Sequence, residues 1–343
     1  MCSGGQNSIS FDCTRTEASK CFEWMCGAFK ARMHLISIPE NKNSYHFLDA
    51  SGTTMDLLRS VVFAEFSVIF CLSLATLVLR YLIHRVKSVR AMWKVCPVLC
   101  VLLLLVVPRA LLDMFVPVIW IAAILGTVAN EPRNACLLAT PFLVEIALDY
   151  VYSGVTIAIF LQRIFYLLFP ISRIRKFNVV VFTILGASAI GCSIVTFALI
   201  LSNLSPDERP LPSGCFSFNC MATMNPAVRI IPIIATALWS GVIMAIGTFM
   251  FVLVYRHRKQ RENMTSVKVN KFALYVFYIR LVFETIPFVV DVALSHTVSV
   301  QLGRYLGFYG AIGAILDITA TTAVYYKLFK HPKKIATVAA RTP

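Results

Sequence analysis

The sequence predicts an all-α, polytopic membrane protein built as a bundle of seven transmembrane helices. Of its 343 residues, 58% are hydrophobic and only 14% are charged, and the mean hydropathy is +0.75. Soluble domains are about 45–50% apolar and about 25% charged, so this composition excludes an ordinary soluble protein. Apolar runs longer than the roughly 20 residues that a spanning helix needs recur along the chain. Lys and Arg residues are concentrated in alternate loops, which gives the spans a direction.

The apolar runs define a transmembrane domain at residues 57–327. The expected spans are residues 57–83, 95–125, 135–163, 179–201, 229–255, 272–295 and 299–326. Prolines and charges interrupt the second run, and neither half is long enough to cross alone, so we predict one kinked or tilted helix. Residues 1–56 are polar and contain four cysteines. They are expected to be a poorly ordered segment, or else a small cap tied by disulfides.

The distribution of basic residues predicts an N-terminus outside and a C-terminus in the cytoplasm. Eighteen Lys and Arg residues fall in three alternate loops and at the C-terminal end, which comprises the end of the last helix and a short basic tail at residues 328–343. The same segments contain one acid, Glu262. The opposite loops show no basic excess. The predicted location is therefore the plasma membrane, crossed several times. The basic inner loops, including Arg173, Arg175, Lys176, Arg256, Arg258 and Lys259, suit anionic lipid or a protein partner.

The third span contains two acids one helical turn apart, Glu145 and Asp149. Charged groups in mid-membrane cost roughly 2.5–3.5 kcal/mol each on insertion scales, so they normally face the interior of a bundle. This pair has no counter-charge within its own helix. Either Arg109 or Arg280 serves as an interhelical partner, or one acid is protonated. A ligand counter-ion or an ion site is the functional alternative.

Other intramembrane charges are spaced as pairs of opposite sign. Arg109 and Asp113 are four residues apart in the second span, and Arg280 and Glu284 are four apart in the sixth. Groups at this spacing lie on one helix face and can neutralise each other, so a structural role is favoured for both pairs. Asp317 adds a further acid in the seventh span.

At its cytoplasmic end the third span carries Gln162 and Arg163. The simpler interpretation is an arginine that extends its charge to the interface. The functional interpretation is a switch whose arginine loses its contacts when helices move and so opens a cleft for a partner.

Cysteines on the predicted outer side suggest a disulfide. Cys136 begins the third span, and the loop between spans four and five contains Cys215 and Cys220. A bond from Cys136 to either loop cysteine would hold the loop across the bundle mouth, and an intraloop Cys215–Cys220 bond is the alternative. Asn203 begins a glycosylation sequon on the same side. No metal site is expected, because these loops supply almost no histidine.

Enzyme motifs are absent from the sequence, and an enzyme is not expected. It contains no His-Glu-x-x-His, Gly-x-Ser-x-Gly, Gly-x-x-x-x-Gly-Lys or Cys-x-x-Cys. Secondary transporters usually show an internal repeat and an even helix number, and neither is evident. We expect no cofactor. We also expect no nucleic acid partner, because the basic residues are concentrated in the loops between the apolar spans.

Three stretches of the chain form a recognisable set of motifs. They are Pro108-Arg109-Ala-Leu-Leu-Asp113 in span two, Arg163-Ile-Phe-Tyr-Leu-Leu-Phe-Pro170-Ile at the exit of span three, and Gly214-Cys215-Phe-Ser-Phe-Asn-Cys220 in an outer loop. They resemble the Arg-x-x-x-Asp signature, the span-three exit and the outer loop of the nematode serpentine chemoreceptors, which are G-protein-coupled receptors. Class BC of that family is the most similar. The similarity covers about residues 57–335. This sequence departs from the rhodopsin-like pattern, because Gln162-Arg163-Ile164 stands in place of Asp-Arg-Tyr and span seven lacks Asn-Pro-x-x-Tyr.

The resemblance implies a chemosensory receptor for a small external molecule, such as an odorant, tastant or pheromone. It also implies a heterotrimeric G protein at the cytoplasmic face and a location in a sensory cilium. No acid lies seven residues after Cys136, where Leu143 stands, which argues against an amine-receptor pocket. By depth alone, candidate lining residues beside Glu145 and Asp149 are Leu143, Trp239, Phe283, Phe288 and Tyr305. The alternatives are a neuropeptide receptor and, from another class, an ion channel or transporter that uses the intramembrane acids.

Overall fold

The computed structural model describes residues 52–86, 89–125, 132–169, 174–203, 226–256, 264–297 and 309–329. All regular elements in these ranges are helical, as the all-α prediction requires. They are α1 (Gly52–Val86), α2 (Val89–Val95), α3 (Pro97–Ile124), α4 (Pro132–Leu168), α5 (Ile174–Asn203), α6 (Pro226–Arg256), α7 (Met264–Arg280), a π-helical turn (Leu281–Thr285), α8 (Ile286–Thr297) and α9 (Tyr309–Phe329).

Within the described residues, six helical segments are long and apolar enough to cross a membrane. They are Ser60–Val86, Pro97–Ala122, Thr140–Leu168, Lys176–Ile200, Ile231–Arg256 and Val267–Leu294. These segments support a polytopic, membrane-embedded helix bundle. The helix α9 covers most of the seventh predicted span but is not among the six. Asp317, Lys327, three threonines and three tyrosines interrupt its apolar residues.

Proline residues set the starts of several helices. Pro97, Pro132 and Pro226 are each the first residue of a helix. Proline is favoured there because the first turn needs no N–H donor and its fixed φ suits the helix. Pro108 and Pro117 lie inside α3, which nonetheless continues to Ile124. Proline therefore marks the first residue of these three helices and does not end α3.

Some helix boundaries differ from those expected. The first helix begins at Gly52, inside residues 1–56, which were expected to be poorly ordered. A short helix precedes α3, and the chain leaves helical geometry at Cys96, immediately before Pro97. A proline disfavours helical geometry at the residue before it, which accounts for this break.

The helix α4 occupies the centre of the bundle. It packs against α3, α5, α6 and α7, while α9 packs against α1 and α7 and closes the ring of helices. The core around it includes Leu103, Phe160, Phe272 and Ile318, each at most 1% exposed. In contrast, α5 presents most of its surface to the outside of the bundle. Side chains of the third span therefore contact more of the bundle than those of any other.

Two polar contacts tie α1 to its neighbours. The hydroxyls of Thr76 and Thr319 lie 2.7 Å apart and join α1 to α9. Nε of Arg80 donates a hydrogen bond to the carbonyl oxygen of Leu103, at 3.1 Å, and joins α1 to α3. Such bonds supply specificity between helices where lipid removes the usual hydrophobic drive for association.

Candidate functional site

A stripe of residues on α4 faces the interior of the bundle and forms one wall of a cavity. Phe142, Glu145, Ile146, Asp149 and Ser153 recur at helical spacings of three and four residues and all line it. The apolar, uninterrupted helix thus brings two carboxylates to the same surface. Leu143 is buried beside this stripe and does not line the cavity.

The guanidinium of Arg109 binds three carboxylates. Its Nε lies 3.0 Å from Oδ1 of Asp113, its Nη2 lies 2.9 Å from Oε1 of Glu145, and its Nη1 lies 2.6 Å from Oδ1 of Asp149. Nη1 also donates to the backbone carbonyl oxygen of Glu145 at 2.8 Å. Of the two arginines considered for the acid pair of span three, Arg109 is therefore the partner. We call these four residues the Arg109 cluster.

Exposure differs sharply among the carboxylates of the Arg109 cluster. The side chains of Asp113 and Glu145 are 1% and 6% exposed, whereas that of Asp149 is 43% exposed. Asp149 therefore carries the carboxylate of this cluster that a bound molecule could reach. Asp113 is absent from the cavity lining, and its second oxygen, Oδ2, has no hydrogen-bond partner among the described residues.

A second arginine binds two more carboxylates across the cavity. Nη1 of Arg280 contacts Oε2 of Glu284, and its Nε lies 3.2 Å from Oδ2 of Asp317 on α9. Its guanidinium lies over the ring of Tyr152, with its central carbon 4.5 Å from the ring centroid. Arg280 is 4% exposed, and its Nη2 has no hydrogen-bond partner within the described chain. We call Arg280, Glu284 and Asp317 the Arg280 cluster.

The π-helical turn places Glu284 in the cavity wall. It follows Arg280 directly and interrupts the α-helical register of the sixth span. Such turns add a residue to a helix and occur often at functional sites. On the facing helix, a Cβ at Gly313 would overlap the backbone oxygen of Phe283. Glycine at this position allows α9 to approach the turn closely, which brings Asp317 to Arg280.

Both clusters open onto one cavity of about 460 Å³. This volume lies within the roughly 300–1,000 Å³ typical of small-molecule sites. The rings of Phe142, Tyr150, Trp239, Phe283 and Phe288 form its apolar walls, and Tyr150 and Trp239 are stacked with centroids 6.3 Å apart. An apolar, aromatic cavity with a few convergent charged groups is the usual form of a ligand site.

At the far end of α4, Arg163 is buried against the start of α3. Its Nη2 lies 3.7 Å from Sγ of Cys96 and 3.4 Å from Oε1 of Gln162, and the Cys96 thiol contacts the same oxygen at 3.3 Å. The guanidinium also lies over the ring of Tyr166, at 5.0 Å. Arg163 is 5% exposed, so in this conformation it is held inside the bundle rather than extended from a helix end.

The structure brings most of the candidate pocket residues together. Glu145, Asp149, Trp239, Phe283 and Phe288 all line the cavity. Lys176 and Arg256 are exposed at helix ends. Several other candidates, or their side chains, lie outside the described residues: Cys136, Arg173, Arg175, Asn203, Cys215, Cys220, Arg258, Lys259 and Tyr305. The proposed disulfide and the sequon consequently remain sequence predictions.

Sequence reasoning missed several residues of the site. Tyr150, Tyr152 and Ser153 line the cavity but carry no charge to mark them in an apolar run. Their helical spacing from Glu145 and Asp149 was the available signal. The contact of Cys96 with Arg163 joins residues far apart in the chain and had no sequence signal.

Comparison of the chain with protein-family models, with curated proteins and with solved structures finds no match. The function therefore has to be argued from the cavity and its residues.

Proposed function

We propose that the chain is a seven-helix receptor of the plasma membrane that binds a small external molecule and signals to a heterotrimeric G protein. The observation that carries the proposal is the aromatic, charged cavity of about 460 Å³ beside α4. Its volume suits a small molecule, in line with the chemosensory role that the sequence resemblance implies. The orientation proposed from the basic loops places the Arg163 end of this helix in the cytoplasm.

A single helix connects the cavity with the proposed partner surface. Asp149 and Arg163 both belong to α4 and are separated by about 21 Å along its axis. A ligand that binds one arrangement of the bundle more tightly than another shifts the population toward that arrangement. In the proposed active arrangement, Arg163 leaves Cys96 and Gln162 and becomes accessible to the G protein. The exposed basic residues around it, Lys176 and Arg256 among them, would contact the partner or anionic lipid.

A neuropeptide receptor is the nearest alternative, and it would require a ligand much larger than this cavity. A channel or transporter is the alternative from another class and would use Glu145, Asp149 and Asp317 as an ion path. Glu145 and Asp317 are both paired with arginines in the structure, which disfavours a free path along them.

The test is a second-messenger reporter in cells that express the chain, screened against volatile and water-soluble small molecules. Arg163→Ala should abolish the response while the protein still reaches the surface, and Arg85→Ala, at an exposed arginine outside the site, should retain it. A response that persists in Arg163→Ala and under blockade of G proteins, but is lost in Asp149→Asn, would contradict the proposal and favour ion conduction.

A further inference from the structure

The charges around the cavity do not balance. The Arg109 cluster has three carboxyl groups on one guanidinium, and the Arg280 cluster has two on one. Five carboxyl groups against two guanidinium groups leave a formal excess of three negative charges in the described part of the site. Uncompensated charge is costly in a low-dielectric interior, so such a site either keeps protons on some of its carboxyl groups or favours an added positive charge.

The two most exposed carboxylates are also the ones that a ligand can contact. The side chains of Asp149 and Glu284 are 43% and 24% exposed, and both residues line the cavity. The other three carboxylates are at most 6% exposed. All five contact an arginine, so Asp149 and Glu284 differ from the rest by their exposure. One carboxylate on each side of the cavity is thus available to a cation.

The walls between these carboxylates suit an organic cation better than a bare metal ion. Trp239, Phe283 and Phe288 present aromatic rings, whose faces attract ammonium groups by cation–π interaction. No group of His, Cys, Asp and Glu side chains in the described chain is arranged to hold a metal ion. A cavity of about 460 Å³ is also far larger than a single inorganic ion requires.

A donor without a partner adds a second recognition element. Arg280 lines the cavity, is 4% exposed, and has no hydrogen-bond partner for Nη2. A buried donor left unpaired costs free energy, and an acceptor oxygen on a ligand would remove that cost. The geometry therefore combines carboxylates for a positive group with a donor for an oxygen.

We infer that the cavity binds a small organic cation, a protonated or quaternary amine that also carries a hydrogen-bond acceptor. The ammonium group lies against Asp149, Glu284 and the aromatic walls, and the acceptor takes a hydrogen bond from Arg280. The inference names the ligand class of the receptor proposed above and rests on that proposal for its biological role. This inference differs from the expectation, drawn from Leu143, that the pocket is not that of an amine receptor. The acids that would meet the amine stand at other positions, Asp149 on α4 and Glu284 in the π-helical turn.

Binding is tested on the full chain in lipid nanodiscs, without G protein, by the shift in unfolding temperature. The probes are two matched pairs: tyramine with tyrosol, and choline with its neutral carbon analogue, in which a tert-butyl group replaces trimethylammonium. A ligand that binds the folded state stabilises it in proportion to its occupancy. The cationic member of at least one pair should stabilise the protein at millimolar concentration while its neutral analogue does not. If choline is a cation that binds, it should also stabilise the protein more than ethyltrimethylammonium, which lacks the hydroxyl oxygen.

Two variants distinguish the ligand contact from the loss of any intramembrane acid. Asp149→Asn should weaken binding of the cation by roughly 30-fold or more, the usual result of removing one partner of a desolvated charge pair. Asp291→Asn removes an acid of α8 that belongs to neither cluster and does not line the cavity, and it should retain the preference for the cation over its neutral analogue.

Equal stabilisation by both members of a pair, stabilisation by the neutral member alone, or none by either pair would overturn the inference. Equal stabilisation by sodium ions at the same concentration would overturn it too, in favour of an inorganic ion. Because this assay contains no G protein, cation binding without any cellular response would refute the receptor proposal and leave the ligand class standing. A cellular response to neutral odorants without any cation binding would refute the ligand class and leave the receptor proposal standing.

Discussion

Arg109 and Glu145 are joined twice. Nη2 of the arginine binds the Glu145 side chain at 2.9 Å, and Nη1 binds its backbone carbonyl oxygen at 2.8 Å. The same guanidinium holds Asp113 on its own helix and Asp149 one turn further along α4. One buried cation thus fixes the rotation and height of α3 relative to α4, and it does so at the wall of the cavity.

Arg109→Ala should strongly destabilise the bundle, because it leaves three carboxylates around an empty space. Removing one partner of a buried ion pair costs about 3–5 kcal/mol, and we expect a loss of at least that size. The measurement is unfolding of the purified protein by sodium dodecyl sulfate in mixed micelles. Arg85→Ala, at an exposed arginine that lies over Tyr81, is the matched control and should change stability little. Equal stability of the two variants would show that the cluster does not hold α3 and α4 together.

Gly313→Ala should push α9 away from the π-helical turn, because the added methyl meets a backbone oxygen that cannot rotate aside. Overpacking of this kind typically costs about 1–3 kcal/mol. Gly310→Ala in the same helix meets nothing within 4 Å and should be neutral or slightly stabilising, since alanine favours helix. Thermal unfolding of both variants in nanodiscs makes the comparison. A Gly313→Ala protein as stable as Gly310→Ala would contradict the close approach.

The bond between Thr76 and Thr319 should couple α1 and α9 measurably. Thr76→Val and Thr319→Val each remove one hydroxyl at nearly constant volume, so a double-mutant cycle isolates the interhelical bond. Hydrogen bonds between membrane helices average about 0.6 kcal/mol by such cycles, with a maximum of about 1.7. The expected coupling lies in this range. Thr183 donates only within its own helix, and a cycle of Thr183→Val with Thr319→Val should give no coupling.

Cys96→Ala should raise basal signalling in the reporter cells, since the thiol contacts both Gln162 and Arg163 in the arrangement described here. Loss of a net ~0.5–1.5 kcal/mol from one of two states shifts their ratio by roughly 2- to 12-fold. Cys71→Ala, which changes an exposed free cysteine of α1, is the control and should leave basal signalling unchanged. A fall in basal signalling with Cys96→Ala would mean that the thiol stabilises the active arrangement.

The helices themselves were largely predictable. Apolar runs of sufficient length marked the six described segments that are long and apolar enough to cross a membrane, and Pro97, Pro132 and Pro226 marked where helices begin. The shortfalls were at boundaries, such as the start of α1 at Gly52, where composition changes gradually. Helix formation in a membrane follows from local hydropathy and backbone hydrogen bonding, both of which can be read along the chain.

The charged residues of the site were also visible in the sequence, but their grouping was visible only in part, because Arg109 and Arg280 were both candidate partners of the acids in span three. Arg109 with Asp113, and Arg280 with Glu284, were expected as pairs within one helix, which their spacing suggests. The structure adds Glu145 and Asp149 to the first pair and Asp317 to the second. Nothing in the sequence distinguished Asp149, the exposed acid, from Glu145, the buried one, because exposure depends on the neighbouring helices.

The sequence by itself determined that the chain forms long apolar helices and where most of them lie. It also determined which few charges those helices carry, because these properties depend on residues close in the chain. Only the tertiary structure decided that one arginine serves three carboxylates, that a π-helical turn places Glu284 in the wall, and that Cys96 holds Arg163. Those contacts depend on the rotation and height of each helix against its neighbours. Close packing, such as that of Gly313 against the backbone of Phe283, sets both, across intervals of sequence that no local pattern spans.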